Sequence, residues 1–177
     1  FGINNVVLVN GVPTTMGVAQ LAQHYIDHRL EVIVRRTEHR LARAQAKLHL
    51  LEGRLIALDA IDLVVSIIRS SQDTPEARDR LMAELSLSEI QASDILEMPL
   101  RRLTALARLE LETEIAELRE AIADFEVILN SDQRRRTLVL KELREMVDAY
   151  GRDRRTRIVS PDALSDVTAT EAAVGDE

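Results

Sequence analysis

The sequence contains no cysteine and no tryptophan, and aromatic residues make up only 2% of its 177 residues. Without cysteine there is no disulfide framework, no thiolate metal site and no cysteine nucleophile, and a reducing cytoplasm is allowed. No apolar run approaches the length of a membrane span, and the N-terminus lacks a basic flank followed by an apolar block. We therefore expect a soluble cytoplasmic protein, and because Phe1 is not a natural start we expect a piece of a longer chain.

Signs of catalysis are also missing from the sequence. It holds no glycine-rich phosphate loop, no paired active-site carboxylates and no Ser/His/Asp order. His24, Asp27 and His28 share one helical face and are the best metal candidates, yet a solvated helix face is far commoner at this spacing. Tyr25 has no nearby base or metal cluster, so we expect its ring to pack and not to act as a nucleophile. We predict no catalytic residue, no metal and no cofactor in this chain.

Leucine, alanine, glutamate and arginine dominate the composition, which is typical of long helices. From Leu30 to Leu58 the apolar positions step alternately by four and three residues, the heptad spacing of a coiled coil. The predicted seam of this outgoing helix is Leu30, Val34, Leu41, Leu48, Leu51 and Leu55. The predicted seam of a returning helix is Leu111, Ile115, Leu118, Ile122, Phe125 and Leu129, and its phase continues through Leu140, Leu143, Val147 and Tyr150.

The two seams can cover each other if the chain runs out along one helix and returns along the other. The predicted fold is therefore mainly α: a long antiparallel two-helix coiled-coil arm, a small helical dimerisation head at its tip, and a short N-terminal β-hairpin at its base. We divide the chain into a hairpin (1–17), an outgoing helix (18–58), a helical head (59–107), returning helices (108–151), and a basic segment with a disordered acidic linker (152–177).

Charge is unevenly spread over the two predicted arm helices, although the chain as a whole carries a formal net charge of −7. The outgoing helix is basic, with Arg29, Arg35, Arg36, Arg40, Arg43, Lys47 and Arg54, whereas acidic residues dominate from Glu110 to Glu126. Opposite charges beside the seams can fix the antiparallel pairing, although each exposed pair contributes only about 0–1 kcal/mol. The arginines at 134–136 and 152–157 could touch phosphate, but a solvated face is the commoner explanation.

Local signals predict the ends of the elements. Asn10-Gly11 supplies the two positive-φ residues of a type I′ hairpin turn between strands 6–9 and 12–15. Helix is expected without interruption from Val18 to about Arg69, and Gly53 within it marks either a bend or a close neighbour. The return helix should break at Asn130-Ser131-Asp132 and end before Gly151. A further short strand is possible at 156–159.

Between the two seams we expect three or four short helices. Thr74 should cap a helix that has Pro75 at its first position, and Ser86 with Glu89 has the spacing of a capping box. Pro99 should end the second helix, and Thr104 can cap the return helix. The apolar residues predicted to form a contact with another molecule are Ile90, Ile95, Leu96, Met98, Leu100, Leu103 and Leu106.

This order of elements resembles part of the A subunit of bacterial type IIA DNA topoisomerases, gyrase and topoisomerase IV, from the start of the chain to about Val159. The stretches that carry the resemblance are Phe1-Gly2-Ile3-Asn4 with the Asn-Gly hairpin, Tyr25-Ile26-Asp27-His28-Arg29, Val34-Arg35-Arg36-Thr37, His49-Leu50-Leu51-Glu52-Gly53, Ile67-Ile68-Arg69-Ser70-Ser71, Ile95-Leu96-Glu97-Met98-Pro99-Leu100-Arg101-Arg102-Leu103-Thr104 and Asp153-Arg154-Arg155-Thr156. Together they are highly specific. The segment from Met98 to Thr104 is closer to actinobacterial topoisomerase IV-like subunits, which leaves gyrase versus topoisomerase IV open.

The resemblance implies that the chain is the coiled-coil arm with the exit gate at its tip, through which a transported DNA duplex leaves. It implies a homodimer through the head near Ile90 to Leu106, with double-stranded DNA and a B subunit as partners of the full enzyme. The catalytic tyrosine would lie upstream of the matching region, and Mg²⁺ and ATP would be used through the B subunit. Heptad spacing alone also allows a second interpretation, an antiparallel coiled-coil spacer or protein-interaction arm unrelated to topoisomerases.

Overall fold

The computed structural model describes residues 4–99, 105–153 and 155, without the side chains of 105 and 106. The chain opens with the antiparallel strands β1 (Val6–Val9) and β2 (Val12–Thr15). Asn10 and Gly11 join them with φ angles of 51° and 81°, the two positive values that a type I′ turn requires. The predicted hairpin is therefore confirmed.

Six helices follow within the described residues: α1 (Val18–Asp59), α2 (Ile61–Ser70), α3 (Thr74–Leu85), α4 (Glu89–Leu96), α5 (Ala105–Asn130) and α6 (Asp132–Tyr150). The predicted mainly α fold with a long antiparallel arm is confirmed. The chain forms two compact units, residues 1–140 and 141–177. The boundary between them falls within α6. None of the described helices is both long enough and apolar enough to cross a membrane.

The arm is the pairing of α1 with α5. Two ion pairs beside the seam show that the helices are antiparallel. Glu52 pairs with Arg119 at 2.7 Å, and Asp59, later on α1, pairs with Arg108, earlier on α5, at 2.8 Å. Leu51, Leu111 and Ile115 form the buried centre of the seam. The partly buried residues packed around them are Leu48, Leu55, Leu58 and Leu118. The seam is therefore closed within a single chain.

Near its start, the seam of α1 differs from the predicted spacing. Ile33 is fully buried, whereas the predicted seam residue Val34 is only half-buried. The steps from Leu30 are thus three to Ile33, four to Thr37 and four again to Leu41. Two successive steps of four amount to a stutter, which locally unwinds a coiled coil. The prediction missed Ile33 because it extended the regular heptad phase through this irregular point.

The expectation of an unbroken helix to Arg69 is wrong. At Ala60 the backbone leaves helical geometry (φ −117°, ψ 36°), although its N–H still donates to the Ile56 carbonyl oxygen at 3.2 Å. After this interruption, α2 buries Val64 and Ile67 in the head. We attribute the interruption to the apolar contacts of these two side chains, because burial of each large aliphatic side chain contributes roughly 1.5–3 kcal/mol.

The head has a core of its own, built from α2, α3, α4 and the end of α1. Its buried members are Ala57, Val64, Ile67, Leu81, Leu87, Ala92 and Ile95. The partly buried residues packed against them are Ile61, Met82, Leu85 and Leu96. A compact helical insert between the two seams was predicted, and this cluster is what holds it together.

Both predicted caps in the head are displaced. Asp73, not Thr74, caps α3, because its carboxylate accepts from the Glu76 N–H at 2.9 Å. The capping box of α4 is Ser88 with Gln91, not the predicted pair two residues earlier. Ser86 instead closes α3 in the left-handed conformation, with φ 54°. In each case a neighbouring residue with a side-chain oxygen is better placed to accept a hydrogen bond from the free backbone N–H groups at the start of the helix.

The predicted break in the return helix is confirmed, since α5 ends at Asn130 and α6 begins at Asp132. Arg135 closes the end of α5 by donating from Nη1 to the carbonyl oxygens of Ile128 and Leu129. Asp132 accepts from Arg136 Nε at 2.7 Å, and this hydrogen bond is the main cause that lowers the pKa of Asp132. Side chains of α6 thus stabilise both sides of the break.

Beyond the break, the predicted continuation of the seam is wrong at three of its four residues, whereas the fourth, Leu143, is half-buried. Leu140, Val147 and Tyr150 are 54%, 66% and 75% exposed, and Val139 is buried instead. The Gly151 N–H donates to the Val147 carbonyl oxygen at 2.7 Å, and a Cβ on residue 151 would lie 2.4 Å from that oxygen. The predicted glycine stop is therefore confirmed. The predicted cap at Thr104, the strand at 156–159 and the acidic linker lie outside the described residues.

We expect Leu51→Asp to lower the free energy of unfolding by several kcal/mol, because it buries a carboxylate in the seam beside Leu111 and Ile115. Val127→Asp is the matched control, since Val127 lies on α5 but is 53% exposed. Its effect should stay within about 0.5 kcal/mol. Urea denaturation followed by circular dichroism measures both. Similar losses for the two variants would contradict the packing of α1 on α5.

We expect the Asp132 carboxyl to titrate below its ordinary value of 3.8 and to move back toward it in Arg136→Gln. Because the pKa is lowered in the folded state, the stabilisation is complete above the unfolded pKa and disappears as the pH falls through the lowered pKa. The carboxyl carbon chemical shift, followed by NMR, measures this titration. Lys141→Gln, which leaves the Asp132 contacts intact, is the control, and a shift of equal size there would contradict the assignment.

Candidate functional site

The arm and the head meet at a polar junction between α1 and α4, formed by His49, Gly53 and Arg54 on α1 and by Ser88, Gln91 and Asp94 on α4. At its centre Gln91 is only 6% exposed. Its amide Nε2 donates to the His49 carbonyl oxygen at 2.6 Å, and its Oε1 accepts from the Ser88 N–H at 2.9 Å. A buried amide costs little when it is hydrogen-bonded in this way. Gln91 therefore joins the cap of α4 to the backbone of α1.

His49 and Ser88 lie close enough to suggest a catalytic pair, with 2.7 Å between Nε2 and Oγ. The hydrogen bonds of Gln91 argue against that role. Gln91 Nε2, which can only donate, also lies 3.4 Å from His49 Nδ1, and this arrangement favours the tautomer in which Nε2 carries the proton. A ring protonated at Nε2 donates to Ser88 Oγ and cannot take its proton. We therefore interpret the pair as a structural contact of the junction.

A second contact reinforces the junction from the neighbouring turn of each helix. Arg54 donates from Nε and Nη2 to the two carboxylate oxygens of Asp94, at 2.6 and 2.7 Å. Both side chains are partly buried, and the hydrogen bond to Asp94 is the main cause that raises the pKa of Arg54. A two-pronged guanidinium–carboxylate contact also fixes orientation, because both groups are planar.

Gly53 allows α4 to approach α1 this closely. A Cβ built on Gly53 would lie 2.7 Å from Cγ and 2.8 Å from Cβ of Gln91. Since α1 continues unbroken through this position, Gly53 marks a close neighbour and not a bend. Of the two possibilities that the sequence left open, the close neighbour is correct.

A small cavity lies where the arm meets the head. It is lined by Leu51, Arg54, Leu58, Met98, Ala107, Glu110, Leu111 and Glu114, and its volume is about 70 Å³. Pockets that hold drug-sized ligands measure roughly 300–1,000 Å³. The cavity is therefore too small for a nucleotide or a similar ligand.

The residues that were predicted to form a dimer contact differ in how far they are exposed. Ile90 is 66% exposed, and Leu96 and Met98 are half-buried. Ile95 is only 4% exposed within the core of the head, so its assignment to a contact surface was wrong. The side chains of Leu100, Leu103 and Leu106 lie outside the described residues.

Sequence reasoning missed three exposed apolar residues around α2, Leu63, Val65 and Ile68, which are 41%, 38% and 42% exposed. A signal was present, because five of the six residues from Leu63 to Ile68 are apolar. One face of a helix cannot bury so many, so some must remain at the surface.

The other predicted seam residues are half-buried: Leu30, Val34, Leu41, Ile122, Phe125 and Leu129. Ile128 on α5 is buried and was missed. It precedes Leu129 directly and lies close to the break in the return helix, where the regular spacing ends. The buried faces of both arm helices thus shift by one residue near the base.

The predicted metal candidates lie near the start of α1. Asp27 accepts a hydrogen bond from Gln23 Nε2 at 2.8 Å, and its charge interacts favourably with the charge of Arg136. Among the described residues, no group of three histidine, aspartate or glutamate side chains could hold a metal ion. Tyr25 is 51% exposed. The arginines at 134–136 are engaged within the chain: Arg134 lies 3.3 Å from Asp124, and the other two hold the break.

Comparison with known proteins gives consistent matches. The sequence model of the DNA gyrase/topoisomerase IV A-subunit family matches residues 1–144. The chain is 47% identical over 162 residues to the A subunit of DNA gyrase from Mycobacterium tuberculosis, covering 92% of this chain and 19% of that protein. It is 46% identical to the same protein of Brachyspira hyodysenteriae (90% and 19%) and 44% identical to that of Streptomyces coelicolor (98% and 21%). The chain thus spans about a fifth of the length of these relatives.

We expect Gly53→Ala to destabilise the protein, although replacing glycine by alanine inside a helix ordinarily gains about 1 kcal/mol. The new Cβ would collide with Gln91, whose amide is held by His49 and Ser88. Ala46→Gly, the reverse exchange at an exposed position of α1, is the control and should cost about 1 kcal/mol. Thermal unfolding compares the two variants. A gain in melting temperature for Gly53→Ala would show that α4 is not packed against this position.

Proposed function

The chain belongs to the family of DNA gyrase/topoisomerase IV A subunits, and on this premise we propose that it is the coiled-coil arm and exit gate of such a protein. In this role the head pairs with the head of a second A subunit. The contact closes the exit through which a transported DNA duplex leaves during ATP-dependent strand passage. The single observation that carries the proposal is that the seam closes within one chain while the head keeps apolar residues exposed.

Closure of the arm within one chain supports a contact at the head. Leu51, Leu111 and Ile115 already cover one another, so α1 and α5 need no second molecule. The ion pairs beside the seam, such as Glu52 with Arg119, are likewise internal. A second copy of the chain would have no unfilled seam to occupy along this part of the arm. It must use another surface.

The head offers a surface suited to a contact that opens and closes. Ile90 projects from α4 with two thirds of its surface exposed, and Met98 follows the end of that helix half-buried. A two-fold contact pairs such a patch with itself. A gate must stay closed most of the time and still separate, which favours a small apolar interface over a long intermolecular coiled coil that would have to unzip.

The second interpretation, a spacer unrelated to topoisomerases, does not agree with the family match over residues 1–144. We infer that this segment does not itself cleave DNA, because the resemblance places the catalytic tyrosine upstream of it. The full enzyme, a type II DNA topoisomerase in the cytoplasm, would use Mg²⁺ and ATP through its B subunit. No cofactor is proposed for this segment.

We expect the purified chain to be a concentration-dependent dimer and the double variant Ile90→Glu/Met98→Glu to be a folded monomer. Two carboxylates facing their copies across a two-fold axis repel each other and oppose burial. Sedimentation equilibrium gives the oligomeric state, and circular dichroism shows whether helicity is retained. Val127→Glu, an exposed apolar position on the arm, is the control and should leave the dimer intact.

Two results would contradict this placement of the gate. The wild-type chain could remain a monomer at concentrations of hundreds of micromolar. Alternatively, Leu63→Glu/Ile68→Glu could abolish the dimer while Ile90→Glu/Met98→Glu leaves it intact, which would move the contact to α2.

A further inference from the structure

Four cations follow one another along one face of α1: Arg36, Arg40, Arg43 and Lys47, which we call the basic stripe. Their spacing of four, three and four residues brings each one next to the following one on the helix surface. Arg40 and Arg43 are exposed, and within the described ranges neither forms an ion pair. The stripe therefore presents positive charge to the outside of the arm.

The pairing of charges across the seam stops at the level of the stripe. Lys47 pairs with Glu114 on α5. The next pair across the seam, one heptad earlier on α1 and one heptad later on α5, would be Arg40 with Ala121. Alanine is uncharged, so no ion pair can form there. The acidic residues of α1 lie on the opposite flank of the seam, where Glu52 and Asp59 pair with arginines of α5. Lys47 is thus neutralised by Glu114, and within the described ranges the unpaired charge of the stripe is that of Arg40 and Arg43.

Such an arrangement is unfavourable for the isolated helix. Like charges three or four residues apart destabilise a helix by about 0.2–0.5 kcal/mol per pair, and no carboxylate on α1 separates the members of the stripe along this face. A bound polyanion would turn this repulsion into attraction. The side chains of adjacent members lie about one helical turn apart, whereas duplex DNA carries one negative charge per about 1.7 Å of its axis. Arg40 and Arg43 can therefore each reach one phosphate of the duplex.

We propose that the basic stripe contacts the sugar–phosphate backbone of duplex DNA as the duplex passes along the arm. This inference rests on the proposed function, in which a duplex moves past the arm on its way to the exit gate. Arginine guanidinium groups suit phosphate oxygens, since their planar donors match the oxygen geometry. The stripe contains no aromatic side chain to stack on a base and no acceptor to read one, so the contact is independent of DNA sequence.

The test measures binding of a short mixed-sequence DNA duplex to the 177-residue chain by fluorescence anisotropy over a range of low salt concentrations. The double variant Arg40→Gln/Arg43→Gln removes two charges of the stripe. Arg119→Gln/Lys141→Gln removes two charges elsewhere, at side chains that are 64% and 72% exposed, and is the matched control. The net charge of the two variants is the same, so a general electrostatic effect would affect both equally.

We expect the stripe variant to bind several-fold more weakly and the slope of log K against log salt to become shallower by about 1.8, since each lost phosphate contact contributes about 0.9. The control should keep the wild-type slope, and a second duplex of unrelated sequence should bind equally well. No binding by the wild-type chain, or equal losses in both variants, would overturn the proposal. Repeating the measurement on Ile90→Glu/Met98→Glu separates the two proposals. If this variant still binds DNA, the proposed DNA contact of the basic stripe is supported whether or not the head forms the dimer contact.

Discussion

The packing of Leu51 on Leu111 and Ile115 is the contact on which the rest of the molecule depends. α1 and α5 are far apart in sequence, and the head lies between them along the chain. If the seam did not hold, the two ends of the head would be free to separate, and the core of Leu81 and Ile95 would have to hold alone. Apolar contact in the seam supplies the stabilisation, while ion pairs at its edges set the direction of the helices.

The junction of α1 with α4 adds a second constraint of a different kind. Apolar contact in the seam is non-directional, whereas the contacts of Gln91 and Asp94 require particular atoms at particular distances. Apolar burial thus provides most of the stability, and the polar junction decides how the head is oriented on α1. The two parts of the structure respond differently to mutation, since the first is sensitive to volume and charge and the second to the loss of a single partner.

Much of the fold could be predicted from the sequence because heptad spacing and turn chemistry act locally. The hairpin turn at Asn10-Gly11, the heptad spacing of each arm helix and the break after Asn130 all follow from residues near each other in sequence. The interruption at Ala60 could not be predicted, because it depends on which side chains the distant α3 and α4 offer to α2. For the same reason Ile95 was assigned to the surface, although its contacts lie in the core of the head. The contact of Gln91 with His49 could not be predicted either, because the two residues are far apart in sequence.

The length of α1 has a mechanical consequence. A helix of 42 residues measures about 63 Å at 1.5 Å per residue, so a tilt of about 5° at one end displaces the other by roughly 5 Å. Because Gly53 and Gln91 seat α4 directly on α1, the head has little freedom to absorb such a displacement and must follow it. A small change of angle at the base of the arm would therefore be amplified into a displacement of several ångströms at its tip.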